Sequence, residues 1–299
     1  MPLNSSIVGT AGEFLTSEVD ARWTMAYAAG LGDVLPGYMD TLAPGGVIAH
    51  PLFPVCFEWP VIVAMREMFD RTGLTVDEAR RGVHASHDLI IHRAIRPPMR
   101  LRTRATVAGI EARKPGAFQL TKLETFDAEG SAVCTSWYGS IYREVAVVGP
   151  NRMPDDAPAT PVPRDASMQP ISEMTIPVAA GLAHVYTECA RIFNPIHTDA
   201  AVAHAAGLPE IILHGTATLA LAVSKTVAAE AHGDASRVTR IAGRFSAMVM
   251  MPSEIKLRIS DREEAEDGYR IFFEVLSEQG GPAIRNGLVV LGNRNGDSR

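Results

Sequence analysis

Residues 186–199 read YTECARIFNPIHTD, and residues 27–40 read YAAGLGDVLPGYMD. Aligned without gaps, Tyr27 stands opposite Tyr186, Asp33 opposite Ile192, Pro36 opposite Pro195, Tyr38 opposite His197 and Asp40 opposite Asp199, all at one offset. Further on, the segment around His50 answers the segment around His214-Gly215 at a slightly larger offset. Self-similarity over half a chain is the signature of a duplicated fold, so it is read before any single element. The elements around the motif repeat as well. An apolar run after His50 (Val61, Val63, Met65) matches one after His214 in which Leu219, Val223 and Val227 follow at helical spacing. Downstream, Leu101, Thr103 and Ala105 alternate with Arg100, Arg102 and Arg104, as Ile255, Leu257 and Ile259 alternate with Lys256 and Arg258. That is the period of a strand with one face buried. Further strands are expected over 118–126 and 137–142 in the first half. The second half repeats them over 269–277 and 288–291, with a loop over 261–268. Each half thus reads as an α+β unit, a long helix wrapped by an antiparallel sheet.

Six prolines fall within 150–170, the composition of an extended linker. The expected organisation is a first repeat over 1–149, the linker over 150–170 and a second repeat over 171–299. An unpaired sheet edge seeks a partner, so the halves are expected to form one fused pseudo-dimer. Hydrophobic residues make up 46% and charged residues 21% of the chain, which fits a packed core. The net charge of −6 leaves no long-range basic field to recruit nucleic acid or an anionic membrane. The apolar windows near 47–65 and 211–229 contain prolines, histidines and charges, so no membrane span is expected. Three scattered cysteines, Cys56, Cys134 and Cys189, offer neither a disulfide framework nor a CxxC motif, and a reduced, cytoplasmic protein is expected.

The run Asn194-Pro195-Ile196-His197-Thr198-Asp199, with Tyr186 before it and Ala206-Gly207 and His214-Gly215 after it, resembles the MaoC-like or (R)-specific enoyl-CoA hydratases of the hot dog fold. The resemblance implies a double hot dog fold and the hydration of an enoyl thioester, or the reverse dehydration of a 3-hydroxyacyl thioester. It implies His197 as acid/base, Asn194 holding water or substrate, and the Gly215 amide polarising the thioester carbonyl. It further implies an acyl-CoA or acyl-carrier substrate, no cofactor beyond the coenzyme A of the substrate, and the possibility of homo-oligomers. The residue types suit this chemistry. Imidazole titrates near neutrality. Glycine lets the backbone approach a ligand, and amides at a helix start stabilise a developing enolate oxygen.

The chain departs from the family at one position. The family's aspartate, five residues before the histidine, is here Ile192, which can neither accept a proton nor orient water. The first half keeps an aspartate at that place, Asp33, but has Tyr38 in place of the histidine. Compensation by Glu188, a single-base reaction, or a lapsed hydratase are the alternatives. A thioesterase, an isomerase or a non-catalytic acyl-binding subunit are the rival functions. Tyr186, Ile192 and His214 are expected to line the substrate site, and Arg93 and Arg96 to meet coenzyme A phosphates, for which guanidinium is well suited. Arg100, Arg102 and Arg104 read most simply as the solvated face of a strand. Asp199 is expected to cap a helix over 200–206. Met248, Met250 and Met251 are expected in the core or pocket wall. His84, His87 and His92 lack the spacing of a metal site.

Overall fold

The computed structural model describes residues 2–67, 74–163, 169–266 and 268–293. In chain order the strands are β1 (Leu3–Asn4), β2 (Leu15–Val19), β3 (Gly82–Ile91), β4 (Met99–Arg113), β5 (Gly116–Phe126), β6 (Ala132–Arg143), β7 (Val147–Val148), β8 (Ser172–Val178), β9 (Val238–Phe245), β10 (Ser253–Ala265), β11 (Gly268–Leu276) and β12 (Pro282–Gly292). The helices are α1 (Ala21–Gly30), α2 (Pro36–Met39), α3 (Pro54–Glu67), α4 (Val76–Arg80), α5 (Leu182–Ala190), α6 (Ala200–Ala205) and α7 (Gly215–Glu230).

By internal contacts the chain forms two compact units, and they do not follow the two halves. One comprises Met1–Glu18, Phe57–His92 and Arg100–Ala159; the other comprises Val19–Cys56, Arg93–Met99 and Thr160–Arg299. Residues 19–56 of the first half therefore belong with the second half. The cause is the packing of α1 on α5: Trp23 Nε1 donates to the Cys189 carbonyl at 3.1 Å, and the repeat-related hydroxyls of Tyr27 and Tyr186 stand 3.4 Å apart.

The first unit holds strands in the order β2-β4-β5-β6-β3, with β1 and β7 pairing separately in parallel. The second holds β8-β10-β11-β12-β9. Taken in chain order, β2 to β6 and β8 to β12 run through the same sequence of neighbours, so the repeat read in the motifs is also a repeat of topology. The expected α+β architecture, two units each with a long helix and an antiparallel sheet, is what the chain adopts. In the first unit, Val61 and Ile62 of α3 pack on Ala105, Leu123 and Tyr138. In the second, α7 is an Ala- and Leu-rich helix whose Leu219, Val223 and Val227 are fully buried at the expected spacing. Two of its buried hydroxyls are satisfied locally, Thr218 donating to the His214 carbonyl and Thr226 to the Ala222 carbonyl. Burial of apolar surface at this spacing, at about 25 cal/mol per Å², is the main drive for wrapping sheet round helix.

Two local expectations change. The loop expected over 261–268 is mostly strand: β10 continues to Ala265 past a bulge between Ile259 and Asp261, with Glu263 buried and Arg262 paired to Glu230. A charge-rich stretch reads as loop, but an alternating one fits a strand with a wet face. Met248, expected in the core or pocket wall, is 46% exposed; it follows the end of β9 in a segment without regular structure.

Candidate active site

The motif begins where α5 ends. Arg191 closes the helix in the left-handed conformation (φ 56°) and lies over the Trp23 ring, 3.9 Å from its centroid. Ile192 follows, 5% exposed, its N–H donating to the Thr187 carbonyl. Pro195 then sets the first turn of a short 3-10 helix, Pro195–His197, as its fixed φ favours. The His197 N–H donates to the Asn194 carbonyl and the Asp199 N–H to the Pro195 carbonyl, so the turn is locked by its own backbone. Asp199 caps α6, accepting from the amides of Ala201 and Val202. The capping role expected for it is therefore seen.

His197 is buried but retains 9% of its surface. Its Nδ1 lies 2.8 Å from the Ile212 carbonyl. A carbonyl only accepts, so Nδ1 carries the proton and Nε2 holds a lone pair. Nε2 makes no hydrogen bond among the described residues. Burial pushes the His197 pKa down to about 4, against the raising effect of the Ile212 bond. The ring is therefore neutral at pH 7 and can accept a proton.

His214 stacks on His197 at 3.7 Å between centroids. Its Nε2 meets Thr187 Oγ1 at 3.2 Å, and burial, then the neighbouring His197, drive its pKa well below the ordinary value. It occupies the N-cap position of α7 without a side-chain capping bond, so Gly215 is the first residue of a sixteen-residue helix. The Gly215 N–H lies in the turn whose amides have no intrahelical acceptor, where the helix dipole is positive. A Cβ at Gly215 would stand 2.9 to 3.2 Å from three atoms of the Phe245 ring, so close ring packing requires glycine there too.

Tyr186 is fully buried, its ring 5.0 Å from that of His214 and its hydroxyl donating to Thr216 Oγ1 at 3.1 Å. The fold thus brings together Tyr186, Ile192, His197, His214 and Gly215 through chain neighbours and ring contacts, with Asn194 half-buried and its side chain without a hydrogen bond among the described residues. Arg93 and Arg96 are exposed on the 93–99 segment, outside this buried cluster. Glu188 is exposed on α5. Arg100, Arg102 and Arg104 are accounted for on the strand face: Arg100 pairs with Glu18, Arg104 with Glu124, and Arg102 lies over Phe14.

Asp33 is held elsewhere. Burial raises its pKa, opposed by a hydrogen bond from Ser224, and no hydrogen bond joins it to His197 among the described residues. Ser224 also meets His50 Nε2 at 3.1 Å. His50 Nδ1 accepts from the Leu52 amide, so Nε2–H donates to Ser224, and the three form one hydrogen-bonded chain. Where the second half has Gly215, this place has Pro51, which lacks an N–H. Sequence reading missed Thr187 and Thr216, the partners of His214 and Tyr186; only the adjacency of Thr216 to Gly215 hinted at one of them. Among the described residues no group of three His, Cys, Asp or Glu is placed to hold a metal ion, and no helix is long and apolar enough to cross a membrane.

Residues 165–276 match the family model described as MaoC like domain, and residues 6–136 match one described as FAS1-like, dehydratase domain region. A peroxisomal enoyl-CoA hydratase 2 of Arabidopsis thaliana is 24% identical over 237 residues, covering 76% of this chain and 73% of that protein. Among solved structures, a MaoC-like dehydratase from Phytophthora capsici has a TM-score of 0.83 at 20% identity over 98% of both chains. A Mycobacterium tuberculosis protein described as having a double hot dog fold has a TM-score of 0.56 at 17% identity, covering 95% of this chain and 94% of that one.

Proposed function

We propose that this chain, whose residues 165–276 match the MaoC like domain and whose fold is that of double hot dog structures, adds water to an enoyl-CoA thioester, or removes it from the 3-hydroxyacyl-CoA, with His197 as sole proton carrier. The observation that carries this reading is the His197 geometry: Nδ1 committed to the Ile212 carbonyl, Nε2 left with a free lone pair, and the first amide of α7 one residue beyond the stacked His214.

In the hydration direction, Nε2 takes a proton from water as the oxygen bonds to the β-carbon. The C=C electrons move onto the thioester carbonyl, whose oxygen the Gly215 N–H stabilises as an enolate. The imidazolium then returns its proton to the α-carbon, so one water is added and the histidine is regenerated. The Asn194 amide can hold the water in place, and Tyr186 shapes the wall behind His214. The low His197 pKa leaves the ring unprotonated at neutral pH and makes its conjugate acid a strong proton donor to the enolate carbon. Exposed Arg93 and Arg96 suit coenzyme A phosphates. The chemistry needs no cofactor beyond the substrate's own thioester.

The test is hydration of a panel of enoyl-CoA thioesters by wild type and His197→Ala. Wild type should hydrate at least one, and the variant should lose about 10²- to 10⁴-fold in kcat. Activity that persists in His197→Ala overturns the assignment. Ile192, buried where the family carries its acid, favours a second reading in which the chain binds an acyl thioester without turning it over. Tight acyl-CoA binding with no hydration and no thiol release would mark that case.

A further inference from the structure

The first unit has a polar interior that hydration at His197 does not use. Between α3 and the sheet lies a cavity of about 40 Å³. Ile7, Ile62, Met65, Leu74, Ala79 and Val107 supply its apolar lining. The other side is formed by Arg66, Gln119, Thr121, Tyr138, Ser140 and Tyr142. Strand register places the polar groups together: Gln119 pairs with Ser140 and Thr121 with Tyr138 across β5 and β6, so all four point to one face of the sheet.

Two features of this wall call for a ligand. Gln119 is 9% exposed; its Nε2 donates to Thr121 Oγ1 at 3.2 Å, while Oε1 is buried with no partner among the described residues. An amide end left dry and unpaired costs on the order of 1–3 kcal/mol. Either orientation of the amide leaves one end open to the cavity. The second feature is Arg66. Its Nη2 donates to the Tyr138 hydroxyl at 3.0 Å and its guanidinium lies 5.4 Å from the Trp59 ring centroid. Hydrogen bond and ring together fix the group in place. Among the described residues no carboxylate stands within ion-pair distance of it. A guanidinium carries five N–H donors in a fork that matches a carboxylate. A water needs about 10–15 Å³ of such space, so the cavity has room for a small carboxylate rather than a long acyl chain.

We propose that this cavity is a binding site for a short free carboxylic acid, its carboxylate held by Arg66 and its oxygen edge met by Gln119 and the neighbouring hydroxyls. Tyr138 acts as a positioning residue, since it orients the guanidinium.

The test is titration calorimetry of the full chain with sodium propionate and with propionamide, its neutral counterpart. Propionate should bind saturably and propionamide at least about tenfold more weakly, because only the former offers a charge-assisted pair. Arg66→Met should weaken propionate at least about tenfold, Arg66→Lys by less, and Gln119→Leu by a few-fold, each with a wild-type circular dichroism spectrum. If Arg66→Met does not fold, Arg66→Lys and Tyr138→Phe carry the comparison, and both should weaken propionate relative to propionamide. His197→Ala should bind propionate as wild type does, which separates this site from the hydration chemistry. Non-saturable binding, equal affinity for propionate and propionamide, or unchanged affinity in the folded Arg66 and Tyr138 variants would each overturn the proposal.

Discussion

Replacing Ile192 by Asp tests the proposal that this position is a vacated acid, and the structure sets what the change should cost and yield. Ile192 is 5% exposed, so the change forfeits most of the burial of an isoleucine, about 1.5–3 kcal/mol. It also buries a polar group with an incomplete set of partners, on the order of 1–3 kcal/mol more. Together these take roughly 2.5–6 kcal/mol from a stability that in most domains is about 5–15 kcal/mol. A folded variant is expected, with its Tm lowered by roughly 5–15 °C. The matched control is Ile192→Asn, which carries the same burial and shape penalties but cannot exchange a proton. Hydration is followed by loss of the conjugated enoyl-thioester absorbance, and stability by thermal unfolding. The two variants should unfold within a few degrees of each other. Ile192→Asp should exceed Ile192→Asn in kcat by about 10²-fold or more, the usual contribution of an acid/base group. If Asp and Asn variants are folded and equally slow, residue 192 does not face the reacting atoms and the reading of this position as the vacated acid is wrong.

Three further outcomes are expected. Gly215→Ala gains helix propensity by up to about 1 kcal/mol but drives its Cβ to 2.9 Å from Phe245, an overpacking worth about 1–3 kcal/mol; the net should be a lower Tm, and a higher one would show that the ring yields. Asp199→Ala removes the acceptor for two α6 amides and should cost about 0.5–2 kcal/mol in denaturant unfolding, whereas Asp199→Asn should retain most of it. Acid should unfold the protein early. His50, pushed down to about 3, and His87 and His197, both at about 4, lie below their ordinary 6.5, so each gives stability that is present above pH 6.5 and lost as pH falls towards 4, on the order of 3 kcal/mol apiece. Glu58, raised to about 7, works the other way and loses a similar amount as pH rises from 4.5 to 7. The histidines outnumber it, so urea midpoints should fall between pH 6.5 and 4; a flat or rising midpoint would show that these rings are already protonated.

Much of the candidate site could be read directly. Pro195, His197, Asp199 and Gly215 act through local geometry: a turn, a cap and a helix start reach only a few residues along the chain, and spacing encodes them. Three of the five strands in each unit were likewise visible as repeated periodicity, whereas β2, β3, β8 and β9 were not read. What spacing could not show were partners far away in sequence. The meeting of Tyr27 with Tyr186 joins repeat-related residues 159 positions apart, and the His50–Ser224 bond spans 174. Such contacts arise from packing of α1 on α5 and of the His50 segment on α7, and they move residues 19–56 out of the unit that their half suggests.

The polar interior of the first unit shows the same division. Alternation along β5 and β6 marks which residues share a face, yet Gln119, Thr121, Tyr138 and Ser140 are polar in the manner of solvent-facing positions. Only the placement of α3 over that face makes them buried, and only then does Arg66 meet Tyr138. The sequence by itself determined the duplication, the α+β architecture and the His197 motif, because each depends on short-range periodicity and spacing. The tertiary structure decided which face of each sheet is dry, which nitrogen of His197 carries the proton, and where an arginine stands among hydroxyls. Burial and pairing depend on elements that meet only after the chain has folded.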